Sequence, residues 1–175
     1  EKVLVVPANV IFEKGKWQGL KRDNLNYYLD LIKNNYKFLR RGDAETDSTH
    51  KQPIGYTIII NPEQKKVFAY RRSSDDKEYT EKRLQGKWSW GFGGHIEPSD
   101  GANGNSIRES VFREINEELD FLGKTMYPKV IGYINYDSDD VSRVHFGILY
   151  VIKTTATEIE PRDSEIEKME LIDLS

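Results

Sequence analysis

The stretch of this 175-residue chain that most limits how it can fold lies between residues 86 and 121. There Gly86-Lys87-Trp88-Ser89-Trp90-Gly91-Phe92 reads as an aromatic strand that breaks into Gly93-Gly94-His95-Ile96-Glu97. A small-residue loop, Pro98 to Asn105, leads on to Ser106-Ile107-Arg108-Glu109, a capping-box pattern, so a helix is expected from Ser106 to Leu119. On that helix Glu114, Glu117 and Glu118 stand at i, i+3 and i+4 and share one face. Counting about 100° per residue from Glu114, Glu118 falls near ~40° and Glu117 near about −60°. Ile107, Val111, Ile115 and Leu119 fall at roughly 20°, 60°, 100° and 140° by the same count, so Glu118 points into the edge of the buried stripe. Arg108, near about 120°, must reach outward from that stripe.

Three carboxylates at the margin of a core repel one another, each like-charged i,i+4 pair costing a few tenths of a kcal/mol. Partial burial raises carboxylate pKa values unless a cation neutralises them. Mg²⁺ meets that need, since it takes carboxylate, phosphate and water oxygens together. Arg113, four residues from both Glu109 and Glu117, can orient the acidic face but cannot neutralise three charges. Taken alone, a glutamate-rich helix is a solvated face. What argues otherwise is the glycine pair upstream, where the backbone can approach closely and leave a carbonyl or amide facing an ion or phosphate.

The rest of the chain supplies a sheet. Tyr56–Ile60 and Lys66–Arg71 are β-rich runs around the turn Asn61-Pro62-Glu63-Gln64, and Lys129–Tyr136 and Arg143–Lys153 flank the acidic turn Asp137–Asp140. Glu165–Leu174 is expected to form a short strand and the start of a helix. The first fifty residues read as an extension around a helix, capped by Asp23 or Asn24, with Leu25, Tyr28, Leu29, Ile32 and Tyr36 as a docking stripe. Arg40 to Gln52 reads as loop. Strands, helix, strands, without regular β-α alternation, predict a mixed α+β sandwich rather than a doubly wound sheet. The expected organisation is an N-terminal extension over 1–52 packed on a domain over 53–175.

Composition narrows the chemistry. With 26 basic and 29 acidic residues the formal net charge is −3, which gives no global reason to expect nucleic acid or an acidic membrane as partner. The absence of cysteine excludes disulfides, cysteine zinc sites and thiol nucleophiles. Apolar runs such as Val3–Val6 are too short to span a bilayer, no leader pattern opens the chain, and a cytoplasmic location is the expectation.

The segment from Gly93 to Phe121 resembles the Nudix box, G-x5-E-x7-R-E-U-x-E-E-x-G-U, with U a bulky aliphatic residue. Arg113-Glu114-Ile115-Asn116-Glu117-Glu118 matches its R-E-U-x-E-E core at every defined position. The loop is about five residues longer than the pattern, so the first Glu of the box has no safe counterpart. Asp120 and Phe121 stand where the closing Gly and aliphatic belong, and Phe92 where many members carry Pro. The resemblance implies an α/β/α sandwich around a mixed sheet from about Pro53 onward, here with an N-terminal helical extension. It implies hydrolysis of a nucleoside-diphosphate-linked small molecule by water with Mg²⁺ or Mn²⁺. By the same analogy Glu114, Glu117 and Glu118 are metal ligands, the Gly94 carbonyl is a candidate fourth, and Arg113 belongs to the catalytic set. Glu118 is a candidate base, with Asp139, Asp140, Glu165 and Glu167 as alternatives from later loops.

Substrate contacts are read more loosely. Arg71, Arg72, Arg83 and Lys87 lie near strand ends leading to the box and could meet phosphates, although solvated loop charges are the plainer reading of each. Trp88, Trp90 and Tyr136 could stack a base or fill core; Arg71, Arg83 and Trp90 are taken forward. His95 and His145 have no partner histidine at metal spacing and read as structural residues or as supports behind the site. Two rivals remain. Trp88-Ser89-Trp90 ahead of Gly94-His95 faintly resembles isopentenyl-diphosphate isomerases, which rely on a cysteine that this chain lacks. A non-catalytic Nudix domain, serving as ligand sensor or interaction module, is the other; such proteins commonly lose box carboxylates, and here all three are present. The amphipathic N-terminal helix leaves a homodimer open as an arrangement. The choice among diphosphate substrates is not written in the sequence.

Overall fold

The computed structural model describes residues 1–73, 86–103, 106–121, 127–163 and 166–174, with the backbone alone at 102, 103, 118 and 121. In chain order the elements are β1 (Lys2–Pro7), α1 (Ala8–Ile11), β2 (Gly19–Lys21), α2 (Leu25–Asn35), β3 (Lys37–Arg40), α3 (Arg41–Ala44), β4 (His50–Asn61) and β5 (Lys66–Arg72). There follow β6 (Trp88–Ser89), β7 (Gly91–Phe92), a 3₁₀ turn (Pro98–Asn103), α4 (Ser106–Glu118), β8 (Leu119–Phe121), β9 (Lys129–Asn135), α5 (Asp140–Val144), β10 (His145–Lys153), β11 (Ile159–Pro161) and β12 (Ile166–Asp173). They form two compact units. The first takes Glu1–Tyr56, Gly93–Val111 and Val130–Tyr150; the second takes Thr57–Phe92, Phe112–Lys129 and Val151–Ser175.

In the first unit the strands run in the order β4-β10-β9-β2. β2 pairs antiparallel with β9, Gly19 opposite Asn135 and Lys21 opposite Tyr133. β1 pairs antiparallel with β3, and its end meets β4 with Val6 opposite Lys51. Val3, Leu4, Val5 and Val6 are all buried, so β1 is a core strand and not a loose leader. Its four consecutive apolar residues, covered on both faces, hide the two-residue alternation by which a half-buried strand is recognised. The first fifty residues therefore contain three strands that the helix-centred expectation did not include. The helix itself is present: α2 buries Tyr28 and Ile32, as its stripe predicts. Asn24 caps it in the left-handed region, φ 54°, without a side-chain cap bond. Tyr28 joins an aromatic cluster with Trp17, Tyr133 and Phe146, ring centroids 5.2–6.5 Å from it.

In the second unit the order is β12-β5-β4, with β6 on β5 and β7 on β4. The β4–β5 hairpin pairs Ile60 with Val67, and its turn is closed by the Asn61 side chain accepting from the Gln64 amide at 3.0 Å. The turn lies where the Asn61-Pro62-Glu63-Gln64 run predicts one, and an asparagine side chain closing it is common turn chemistry. β12 pairs with β5, Leu171 opposite Phe68, so Ile166–Asp173 is strand and the helix start expected there is not formed. The pairing edge of β5 decides the outcome, and no local pattern reports it. Similarly, β4 begins at His50 and α3 fills Arg41–Ala44, where a loop was expected. No described helix is long and apolar enough to cross a membrane.

Candidate active site

α4 begins at Ser106 as the capping pattern predicts and ends at Glu118, one residue before Leu119 turns into β8. Ile107, Val111, Ile115 and Leu119 are each no more than 5% exposed, so the predicted stripe is the buried one. Arg108, at its edge, is exposed. On the polar face Arg113 Nη1 donates to Glu114 Oε1 at 2.9 Å and to Glu117 Oε2 at 3.4 Å. The Glu114 side chain is 17% exposed and that of Glu117 is 60%. Neighbouring residues on a helix do not face each other. The length of the arginine side chain removes that restriction, and its Nη1 serves both carboxylates. The Glu118 side chain lies outside the described part of the molecule. Among the described residues no cluster of three or more histidine, aspartate or glutamate side chains forms a ready cage for a metal.

In the same unit Arg71 donates through Nε to the Gly86 carbonyl at 3.2 Å and lies 3.7 Å from Glu167, both side chains half exposed. Trp88 sits opposite Arg71 in the β5–β6 pair. Trp90, between β6 and β7, is 56% exposed, so its ring faces are not consumed by a core. Arg72 lies over Tyr70, 5.2 Å from the ring centroid, and donates to its hydroxyl at 2.9 Å. Arg83 and Glu165 fall outside the described residues.

Gly93 and Gly94 belong to the first unit. A Cβ on Gly93 would stand 1.7 Å from the Gly55 carbonyl oxygen, so only glycine fits this crossing. The Gly94 carbonyl accepts from the Gly55 amide at 3.2 Å, which uses one of its two lone pairs. Asp139 caps α5, its two carboxylate oxygens accepting from the Ser142 amide at 2.7 Å and the Ser142 hydroxyl at 2.9 Å. Asp140 is almost fully exposed beside Arg143. A cavity of about 190 Å³ opens between Ile54, Tyr56, Ile134, Tyr136, Ser142 and His145.

Two features of this unit were not legible from spacing. Lys51, its side chain 2% exposed, donates to Asp137 at 2.9 Å across 86 residues of chain. Asp137 also receives Lys16 at 2.7 Å and Gln18 at 2.8 Å. Burial pushes its carboxyl upward, but these three donors outweigh it and hold the group well below the usual carboxylate range. The buried Lys51 ammonium is lowered, chiefly by loss of solvent. The second feature is His95 facing His145, Nε2 to Nε2 at 3.1 Å. Sequence spacing gives neither ring a histidine partner; the fold supplies one.

A glycine-terminated strand, an Arg113-bridged glutamate helix and this α+β sheet together define a Nudix hydrolase. The NUDIX domain model matches residues 51–175, and the chain belongs to that family. Protein YmaB of Bacillus subtilis (strain 168) is 33% identical over 173 residues, spanning 94% of this chain and 82% of its own length. The crystal structure of Tm1382, grouped with the Nudix hydrolases, superposes with a TM-score of 0.82 at 28% identity, covering 99% of this chain and 86% of that one. The MutT protein from Methanosarcina mazei Go1 shares the fold at 21% identity and a TM-score of 0.51, over 71% of this chain and 78% of its own.

Proposed function

We propose that the protein opens a diphosphate linkage in a small nucleoside-diphosphate-linked molecule by attack of water on phosphorus, with Mg²⁺ or Mn²⁺ as cofactor. The observation that carries this reading is Arg113, held 2.9 Å from Glu114 and 3.4 Å from Glu117 within the R-E-I-N-E-E run. The donor set fits a hard cation. Carboxylate oxygens suit Mg²⁺ and Mn²⁺. Glu114, Glu117 and Glu118 would hold the ion, with the Gly94 carbonyl as a further candidate. When bound, the ion neutralises the diphosphate and acidifies a coordinated water.

The chain's own residues do the rest. Arg113 offsets the repulsion between two carboxylates and fixes their rotamers, so that both stay turned to one side of α4. Glu118 is the candidate base. Asp139 is disfavoured for that role because both of its oxygens already serve the α5 cap. Trp90, with its ring exposed, is suited to stack a base, and Arg71 to meet a phosphate by exchanging its loose Glu167 contact.

Thermal unfolding with and without cations tests the metal reading. A ligand that binds only the folded state raises Tm, and Mg²⁺ holds poorly without phosphate oxygens. Mg²⁺ or Mn²⁺ at millimolar concentration should therefore raise Tm, and raise it further with a nucleoside diphosphate present. An unchanged Tm under both conditions contradicts the site.

A further inference from the structure

We propose that a hollow in the first unit's sheet is a recognition pocket for an uncharged heteroaromatic ring of nucleobase size. The inference stands apart from the hydrolase reading: the probes that test it carry no phosphate, so either can fail alone.

The hollow follows from one glycine. β10 is the middle strand of β4-β10-β9, and Gly147 lies in its interior between Phe146 and Ile148, both fully buried. Side chains alternate across a strand, so Gly147 belongs to the opposite face from those two and raises nothing above it. A glycine inside a strand weakens it and often marks a place where a ligand or another backbone comes close. A Cβ here would stand 3.2 Å from the Ile134 Cβ, so even alanine would crowd the neighbouring strand. Beside the bare position stand Ile54 and Tyr56 of β4, and Ile134 with Tyr136 at the end of β9. Ser142 of α5 and His145 complete the lining of the cavity, about 190 Å³ in volume.

Size and charge define the occupant. An apolar cavity of about 150 Å³ holds a benzene molecule, and drug-sized ligands fill about 300 Å³ or more. This hollow therefore takes a ring system and not a whole nucleotide. None of its described lining residues is lysine, arginine, aspartate or glutamate. His145 adds neither charge nor a free nitrogen: Nδ1 donates to the Val141 carbonyl oxygen at 2.7 Å, and Nε2 accepts from His95 at 3.1 Å. An ionised group would enter without a partner, at a cost that a neutral ring avoids. Tyr136 is half exposed, so part of its ring is open to stacking. The Ser142 hydroxyl donates to Asp139 at 2.9 Å and keeps lone pairs with which to accept. With the Tyr136 hydroxyl it suits a ring whose edge carries N–H groups, which a plain hydrocarbon lacks.

The test uses the full chain with labelled isoleucine methyls, in the presence of a chelator. It is titrated with adenosine or guanosine and, in parallel, with ribose 5-phosphate, which carries charge but no aromatic ring. The nucleosides should shift the Ile54 and Ile134 methyl signals saturably, and ribose 5-phosphate should leave them in place. Tyr136→Ala should weaken nucleoside binding roughly tenfold, as when one stacking partner is lost, with the far-ultraviolet circular dichroism unchanged. Should that variant fold poorly, Overhauser contacts between nucleoside ring protons and the two methyls of the unmutated protein serve instead. Nucleosides that move neither methyl at millimolar concentration, or a ribose 5-phosphate shift equal to theirs, overturn the proposal. So does nucleoside binding that Tyr136→Ala leaves unweakened; its loss in Trp90→Ala would then place the ring in the second unit.

Discussion

Asp137 gathers three donors on one carboxylate. It accepts from Lys16, Lys51 and Gln18, and its carboxyl is held well below the usual range although burial alone would raise it. A carboxyl whose folded pKa is depressed contributes stability that is fully present above its unfolded value, near about 3.9, and is lost as pH falls toward the folded value. Asp137→Asn leaves Lys51 charged and buried without its carboxylate. Breaking one side of such a pair costs about 3 kcal/mol. Urea unfolding should thus show the variant less stable at pH 7 by about that amount, with the gap to the unmutated protein narrowing below pH 4. A gap that stays constant between pH 7 and pH 3, or no gap, contradicts the assignment. No spacing in the sequence advertises this pair, because the lysine and the aspartate lie in different elements and only the fold introduces them.

At the scale of elements, what was legible followed from local rules. The start of α4, its buried stripe, the β4–β5 hairpin and the strands β9 and β10 all announce themselves through capping, periodicity or turn chemistry. β1 and β12 do not. β1 is a short apolar run whose partners β3 and β4 are tens of residues away, and β12 is charged and half exposed, made a strand by the edge of β5. α4 was legible as a helix, but the placement of Arg113 against its next neighbour Glu114 was not, since it depends on the rotamer of one long side chain. The glycine pair illustrates the same division. Sequence shows that the backbone is free there; the structure shows Gly93 pressed against Gly55. Gly93→Ala should therefore destabilise through overpacking, by about 1–3 kcal/mol or more, measured as a lower Tm. A Tm equal to that of the unmutated protein would mean the crossing can relax, and the close approach would lose its structural role.

For the molecule as a whole, the first fifty residues and the glutamate helix pose separate questions. Val3, Leu4, Val5 and Val6 are buried, Trp17 and Tyr28 share the cluster of Tyr133 and Phe146, and Lys16 and Gln18 hold Asp137. A chain beginning at residue 50 would expose that apolar surface at roughly 25 cal/mol per Å² and leave Asp137 with fewer donors. It should lose cooperative thermal unfolding, and a sharp transition near that of the full chain would show the segment to be dispensable. The central claim, however, is that the α4 carboxylates perform hydrolysis. Its most direct measurement is product formation, by chromatography, from a panel of nucleoside diphosphate derivatives and nucleoside triphosphates with Mg²⁺, comparing the unmutated protein with Glu118→Gln. This substitution keeps the shape and removes one charge. The account predicts nucleotide product from the unmutated protein, with turnover reduced on the order of 10²-fold or more in the variant, as when a metal ligand or general base is removed. Equal rates in the two proteins, or tight nucleotide binding with no product from either, would contradict it.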